Sequence, residues 1–376
     1  MIKIIDKVNC CGCGACEQSC PLNCIHMISD QEGFFYPEVD FAVCVNCGLC
    51  EQSCPISNTI MTEKLSDSYV AYNKDQGIRM ASSSGGIFSP LCESVLEAGG
   101  FVFGVSFDED FFAIHRRVDV KEELSSIRGS KYLQSRLNNT YIEIKKLLDK
   151  GEKVLFSGTG CQVAGLKTFL KDDYSNLLTV DVICHGVPSP KLWQRFIKEK
   201  EKTFGSKLKE VSFRKKITGW KSYSIYMEFE SSEVYSQLFT KDSYMQMFLK
   251  DICLRPSCHK CRFKAINSRA DITLGDCWGI ERNMPDLDDD KGCSLILVHT
   301  INGANLLLNI KHQLIIKKID LSKVSQPMIS ESVLAHPNRR KYFAALERGE
   351  SIQELTKYMK LTIPERIINK IKRYVR

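Results

Sequence analysis

The chain has 376 residues, 43% apolar and 26% charged, with a net charge of +7 from 52 basic and 45 acidic side chains. Those proportions exclude a mostly disordered chain and supply core for two or three domains, while the small basic excess is compatible with acidic partners without demonstrating them. No run reaches the roughly 18 consecutive apolar residues of a membrane span, the first eleven residues lack the apolar core of a signal peptide, and a cytoplasmic location is the expectation.

The number that stands apart is 18 cysteines, ten of them within the first 54 residues. Disulfides would explain that density in a small exported domain. In a chain of this size with no export signal, thiolates held as metal ligands are the better reading.

The N-terminal cysteines form a repeat. Cys10, Cys13, Cys16 and Cys20 precede Pro21, and Cys44, Cys47, Cys50 and Cys54 precede Pro55, both as C-x2-C-x2-C-x3-C-P. Three cysteines at intervals of three let a tightly turning loop wrap three corners of one 4Fe–4S cube. Gly14 and Gly48 permit the backbone such a loop needs. The fourth cysteine of each run reaches the other cube in two-cluster ferredoxins. So Cys10, Cys13, Cys16 and Cys54 are assigned to one cluster, and Cys44, Cys47, Cys50 and Cys20 to the second. Structural zinc sites pair C-x2-C knuckles, which these runs do not resemble. Cys11 and Cys24 fall outside the pattern and read as small buried or ligand-supporting residues. Over about residues 1–58 the chain resembles the bacterial two-cluster ferredoxin domain. Between the runs, Glu32-Gly33 suits a hairpin tip, followed by an aromatic strand that shields the clusters. Residues 59–68 read as a linker.

In the larger domain, Ser82-Ser83-Ser84-Gly85-Gly86 precedes a helix marked by Phe88, Leu91 and Val95. Hydroxyls and free N–H groups there suit a phosphate or a flavin edge, although a serine cap without ligand is commoner. Strands are expected over 101–107 and 112–118, then Gly129-Ser130-Lys131-Tyr132 and a helix over 140–150. A βαβ unit follows: strand 153–156, Gly158-Thr159-Gly160-Cys161-Gln162 opening a helix to Leu170, and strand 178–183 ending at Cys184-His185-Gly186. Parallel strands aim Cys161 and Cys184 at one sheet edge. With Cys258-x2-Cys261 they make a candidate third 4Fe–4S site. Buried structural thiols or half a zinc knuckle are the alternatives, and nearby Cys253 competes as a ligand. His185 could bond a cluster sulfur or relay a proton, but a packed, satisfied histidine is commoner. Asp276 and Trp278 in a glycine-framed turn can face a ring cofactor, or Trp278 can seal the core. Cys277 reads as no ligand. Arg214-Lys215-Lys216 and Arg339-Arg340-Lys341 read as solvated faces, and no nucleic-acid motif accompanies them.

Taken together, Ser82–Gly86, Gly158–Leu166, Cys184–Ser189, Cys258-x2-Cys261 and Asp271–Gly279 resemble the coenzyme F420 hydrogenase/dehydrogenase beta-subunit family over about residues 69–330. Gly160, where relatives often have proline, and Cys277, where they often have phenylalanine, depart from the pattern. The resemblance implies FAD and iron–sulfur clusters, with Ser82, Ser83, Ser84, Gly85, Gly86, Lys131, Tyr132 and Asp276 as flavin-site candidates.

The expected fold is α+β: a small two-cluster ferredoxin-like domain (1–58), then a larger mixed α/β flavin- and cluster-binding domain (69–345). A basic helical tail (346–376) ends the chain and could touch a membrane or a partner. The expected function is an FAD-dependent iron–sulfur oxidoreductase. Single electrons would pass through 4Fe–4S clusters to or from FAD, for two-electron conversion of a small molecule. A redox partner protein (a ferredoxin, hydrogenase or dehydrogenase subunit) would feed it. Two other readings are a non-catalytic electron-transfer subunit and a zinc-stabilised interaction protein.

Overall fold

The computed structural model describes residues 1–58 and 67–361. In the N-terminal module, each cysteine run turns into a single helical turn, Ala15–Gln18 and Leu49–Gln52. Gly14 and Gly48 cap these turns in the left-handed region at φ 67° and 78°, where a β-carbon would be strained. Between them lies an antiparallel hairpin of β1 (Ile25–Ser29) and β2 (Phe35–Val39), in register from Ile25 opposite Val39 to Ser29 opposite Phe35. Its loop is closed by Asp30 N–H on the Phe34 carbonyl at 2.9 Å.

The larger domain is built on an eight-stranded sheet. Its strands are β3 (Asp67–Asn73), β4 (Phe101–Phe107), β5 (Ala113–Val118), β6 (Val154–Thr159) and β7 (Leu177–Val182). A separate antiparallel sheet follows, with β8 (Leu208–Lys215), β9 (Ser224–Phe229) and β10 (Val234–Leu238). The chain then returns to the large sheet with β11 (Ile272–Asp276), β12 (Ser294–Val298) and β13 (Leu314–Lys318). The large sheet runs β13-β3-β12-β11-β7-β6-β4-β5. Strands β4, β6, β7 and β11 are parallel at its centre, and antiparallel neighbours flank them.

Alternation sorts the two faces. Leu155 packs with Val102, Val180 and the helices Phe88–Leu96 and Ile301–Ile310. Its neighbours Val154 and Phe156 pack on the opposite side with Tyr141, Ile144, Val163 and Leu166, from the helices Thr140–Leu148 and Gly160–Leu170. A parallel strand covered on both faces has to be apolar at every position, and β6 reads that way over its first three residues.

The module does not stand apart. Cys11, Cys13 and Ala15 belong to the same core as the helix Gly160–Leu170. A β-carbon on Gly165 would come within 2.9 Å of Cys13 Cβ. The hairpin's aromatics do more than shield clusters. Phe34 and Tyr36 enter a third core with Trp193, Tyr244 and Phe343, which covers the β8–β10 sheet.

Three expectations change. Asp67 and Ser68 are strand, not linker, and residues 59–66 lie outside the described residues. Leu346, Ile352 and Leu355 are buried in that third core, so the chain beyond 345 packs as far as it is described; the basic segment 363–376 lies outside it. The basic clusters are not solvated faces throughout: Arg214 and Lys216 are buried, and Arg339 pairs with Glu32. Arg340 and Lys341 are exposed. Among the described residues no helix is long and apolar enough to cross a membrane.

Candidate functional site

The twelve assigned cysteines fall into three groups in space. Cys10, Cys13, Cys16 and Cys54 form the first. Burial raises the Cys16 thiol well above its usual pKa, and Cys10 and Cys54 beside it add to the shift; Cys13 feels Cys16 and Cys10 in the same way. The second group, Cys20, Cys44, Cys47 and Cys50, lines one small cavity together with Cys24. Cys24 Sγ lies 3.3 Å from Cys20 Sγ, and Ile2 N–H donates to Cys50 Sγ at 3.2 Å. Cys47 is exposed.

The third group is Cys161, Cys184, Cys258 and Cys261. Cys161 opens the helix after β6, Cys184 follows β7, and the turn Pro256–Lys260 carries Cys258. The βαβ geometry thus brings together residues a hundred positions apart. Val187 N–H donates to Cys258 Sγ and Phe263 N–H to Cys261 Sγ, both at 3.4 Å. N–H groups aimed at sulfur are what a cluster ligand needs around it. Burial pushes the Cys258 thiol up to about 12, so binding iron as thiolate here releases protons. Cys253 is fully buried beside Tyr244 and Tyr342 and is absent from the cavity wall, so it does not join this group. Among the described residues no three His, Cys, Asp or Glu side chains converge on a single ion.

The four cysteines line a cavity of about 550 Å³, within the range of small-molecule sites. Ser82, Ser83, Ser84, Gly86, Lys131, Tyr132 and Asp276 share its wall, and Gly85 sits behind it with its N–H on Ser294 Oγ at 2.9 Å. Part of the serine chemistry is already used. Ser82 Oγ donates to the Ile78 carbonyl at 2.7 Å, Ser84 Oγ to that of Cys293 at 3.1 Å, and Ser83 Oγ accepts from Ser130 N–H at 2.8 Å. Lys131 Nζ donates to the Arg128 carbonyl at 3.0 Å, folding back on its own loop, and burial pulls its pKa down to about 7. The Tyr132 ring stacks on Phe248 at 4.8 Å.

Two residues missed by sequence reasoning organise this wall. Arg214 Nη1 donates to Asp276 Oδ2, and Asp276 also accepts from Trp220 Nε1 at 3.2 Å. Lys216 Nζ donates to the carbonyls of Arg79, Ser84 and Lys291 at 2.8, 2.6 and 2.6 Å, pinning the serine loop from behind. Arg214 lies near the end of β8 and Lys216 directly follows the strand; both are buried, while Lys215 between them is exposed. No local signal in the sequence marks them out, because their partners lie far along the chain. Trp278 lines the cavity and stacks on Trp220 at 4.4 Å. His185 is not merely packed. It lies on the cavity wall with Nε2 2.6 Å from Asp251 Oδ1. Cys11 lines the same cavity and lies within hydrogen-bonding reach of both Cys13 and Cys161, so it stands between the first and third groups. Cys277 is buried in a separate core with Trp220 and Cys293.

Known families match the two halves of this arrangement. Residues 9–58 match the 4Fe-4S dicluster domain. Residues 151–324 match the C terminus of the coenzyme F420 hydrogenase/dehydrogenase beta subunit. The larger domain is thus similar to this beta subunit over residues 151–324. The family match spans β6 to β13 and so contains all four cysteines of the third group. No curated protein matches the chain. Among solved structures, a chain of the F420-reducing NiFe hydrogenase complex from Methanosarcina barkeri is similar at 18% identity and a TM-score of 0.50, covering 79% of this chain and 91% of that one. That likeness is one of fold. With its N-terminal dicluster domain, the chain is an iron–sulfur protein of electron transfer.

Proposed function

We propose that the chain is an iron–sulfur flavoprotein oxidoreductase, holding FAD in the 550 Å³ cavity and a third 4Fe–4S cluster on Cys161, Cys184, Cys258 and Cys261 at its wall. The observation that carries the flavin reading is Arg214. It is 6% exposed, it lines the cavity, and its Nε and Nη2 have no hydrogen-bond partner. Buried guanidinium N–H groups left unpaired are costly, and the acceptor-rich pyrimidine edge of an isoalloxazine would satisfy them. Asp276 fixes the fork, while Tyr132 and Trp278 offer ring faces. Ser82, Ser83, Ser84, Gly86 and Lys131 would hold the remainder of the cofactor.

A bound flavin supplies two-electron chemistry, whereas clusters carry one electron at a time. The chain's own part is to position, to exclude water, and to hold a proton at the cavity wall on His185, which Asp251 orients. Cys47, Phe41 and Val45 are exposed beside the second cysteine group, and that edge is where a redox partner protein would deliver or collect electrons. The likeness to a chain of a hydrogenase complex supports such a partner.

Anaerobic steady-state assays of the loaded full chain, with reduced viologen as donor and a panel of small acceptors, test the catalytic part. Turnover that is lost in Arg214→Met, together with bound flavin, is the expected result. Bound flavin with no turnover on any acceptor would favour a non-catalytic electron-transfer subunit instead.

A further inference from the structure

Arg255 lies where the N-terminal module meets the larger domain, and none of it reaches solvent. Its Nε donates to the Cys10 carbonyl, its Nη1 to Gln134 Oε1 and its Nη2 to the Phe35 carbonyl, each at 2.9 Å. Nη2 also approaches Cys10 Sγ at 3.5 Å. The Tyr36 and Phe34 rings close over it, with centroids 4.3 and 5.6 Å from Cζ. The cysteine loop is shaped to it: a β-carbon on Gly12 would fall 2.7 Å from Nη1.

Every acceptor around this guanidinium is neutral. Among the described residues no carboxylate forms an ion pair with it, whereas the buried Arg79 and Arg214 each have one; Arg269, 6% exposed, is also without one, with its Nη2 on the Asn58 carbonyl. Arginine keeps its charge in proteins, and an unanswered buried charge is among the most unfavourable things a fold can contain. Thiolates are the anions within reach. Cys10 Sγ, in the first group, lies 3.5 Å from Nη2, and Cys258, in the third, is tied to the same residue by its N–H on the Arg255 carbonyl at 3.0 Å.

We infer that Arg255 is a shared counter-charge for the first and third cysteine groups, placed between them to make the clusters they bind easier to reduce. The half concerning the third group rests on the third-cluster reading above; the half concerning the first group needs only the dicluster domain. A cluster held by four thiolates is anionic and gains a further negative charge on reduction. A fixed cation in a dry, low-dielectric setting therefore favours the reduced form over the oxidised one.

The test is an EPR-monitored redox titration of the anaerobically purified full chain, with iron measured per chain. Arg255→Gln removes the charge. Gln134→Glu leaves the arginine in place and neutralises it with an adjacent carboxylate. Both are expected to make reduction of at least one cluster about tenfold less favourable, a fall of about 59 mV for a one-electron couple, with iron retained in Gln134→Glu. Arg255→Lys keeps the charge and is expected to stay near the wild-type curve. Curves for Gln134→Glu that superimpose on the wild type, whatever becomes of Arg255→Gln, would overturn the inference and leave Arg255 as a structural strut. Repeating the pair in a Cys258→Ser chain separates the two halves: a shift that persists belongs to the first cluster, and one that vanishes would overturn the shared role.

Discussion

Arg214, on β8, donates from Nη1 to Asp276 Oδ2 at the end of β11, and this contact ties the small antiparallel sheet to the carboxyl edge of the central one. Arg214 is buried and Asp276 nearly so, on the cavity wall. Removing one partner leaves the other as an uncompensated charge, and breaking such pairs costs about 3–5 kcal/mol. Asp276→Ala should therefore lower thermal stability markedly. Arg214→Lys, which keeps the charge but loses the planar fork, should spare the fold and weaken flavin retention by about tenfold, the order of one lost good hydrogen bond. Unfolding temperature and flavin per chain distinguish the two effects.

Cys258 and Cys253 are five residues apart and sit in different surroundings. Cys258→Ser should remove about four irons per chain, one cube. Cys253→Ser should remove none and instead cost about 1–3 kcal/mol, because it buries a hydroxyl in an apolar core. Iron loss from Cys253→Ser with none from Cys258→Ser would redraw the third site.

Gly165 lets the helix after β6 approach the first cysteine loop. Gly165→Val should push Cys13 away, at an overpacking cost of about 1–3 kcal/mol. Iron should fall in the N-terminal module, while the third group on the same helix, through Cys161, suffers less. Mössbauer or EPR quantification of the separate clusters reads this out.

Asp181 is fully buried and accepts from Ser268 Oγ at 2.7 Å and from Thr273 Oγ1, which also meets His299 Nε2 at 2.8 Å. Burial raises its pKa to about 7. A carboxyl whose folded pKa lies above its unfolded value contributes stability that is lost as pH rises through the folded value. Asp181→Asn cannot ionise. Relative to the wild type it should gain stability steadily between about pH 4 and 7, up to about 4 kcal/mol, and level off above that. A pH-independent difference in unfolding temperature would contradict the assignment.

The parts of this molecule that sequence reveals are those with a local period. Two cysteine runs with one spacing announce a dicluster module. Short apolar runs at 153–156 and 178–183, joined by a helix, announce parallel strands and so predict that Cys161 and Cys184 share an edge. The illegible parts depend on partners far along the chain. Nothing local separates Arg214, answered by Asp276 sixty-two residues later, from its solvated neighbour Lys215. Arg255 looks like any surface arginine until Cys10 and Phe35 arrive from the other end of the chain. Cys253 and Cys258 diverge because the Pro256–Lys260 turn swings only the second toward the cavity.

The most direct measurement is the iron, sulfide and flavin content of the full chain, purified and kept without oxygen. Three cysteine groups and one ring site predict about twelve irons, about twelve sulfides and about one FAD per chain. About eight irons with no flavin would contradict the central claim and reduce the protein to its dicluster module.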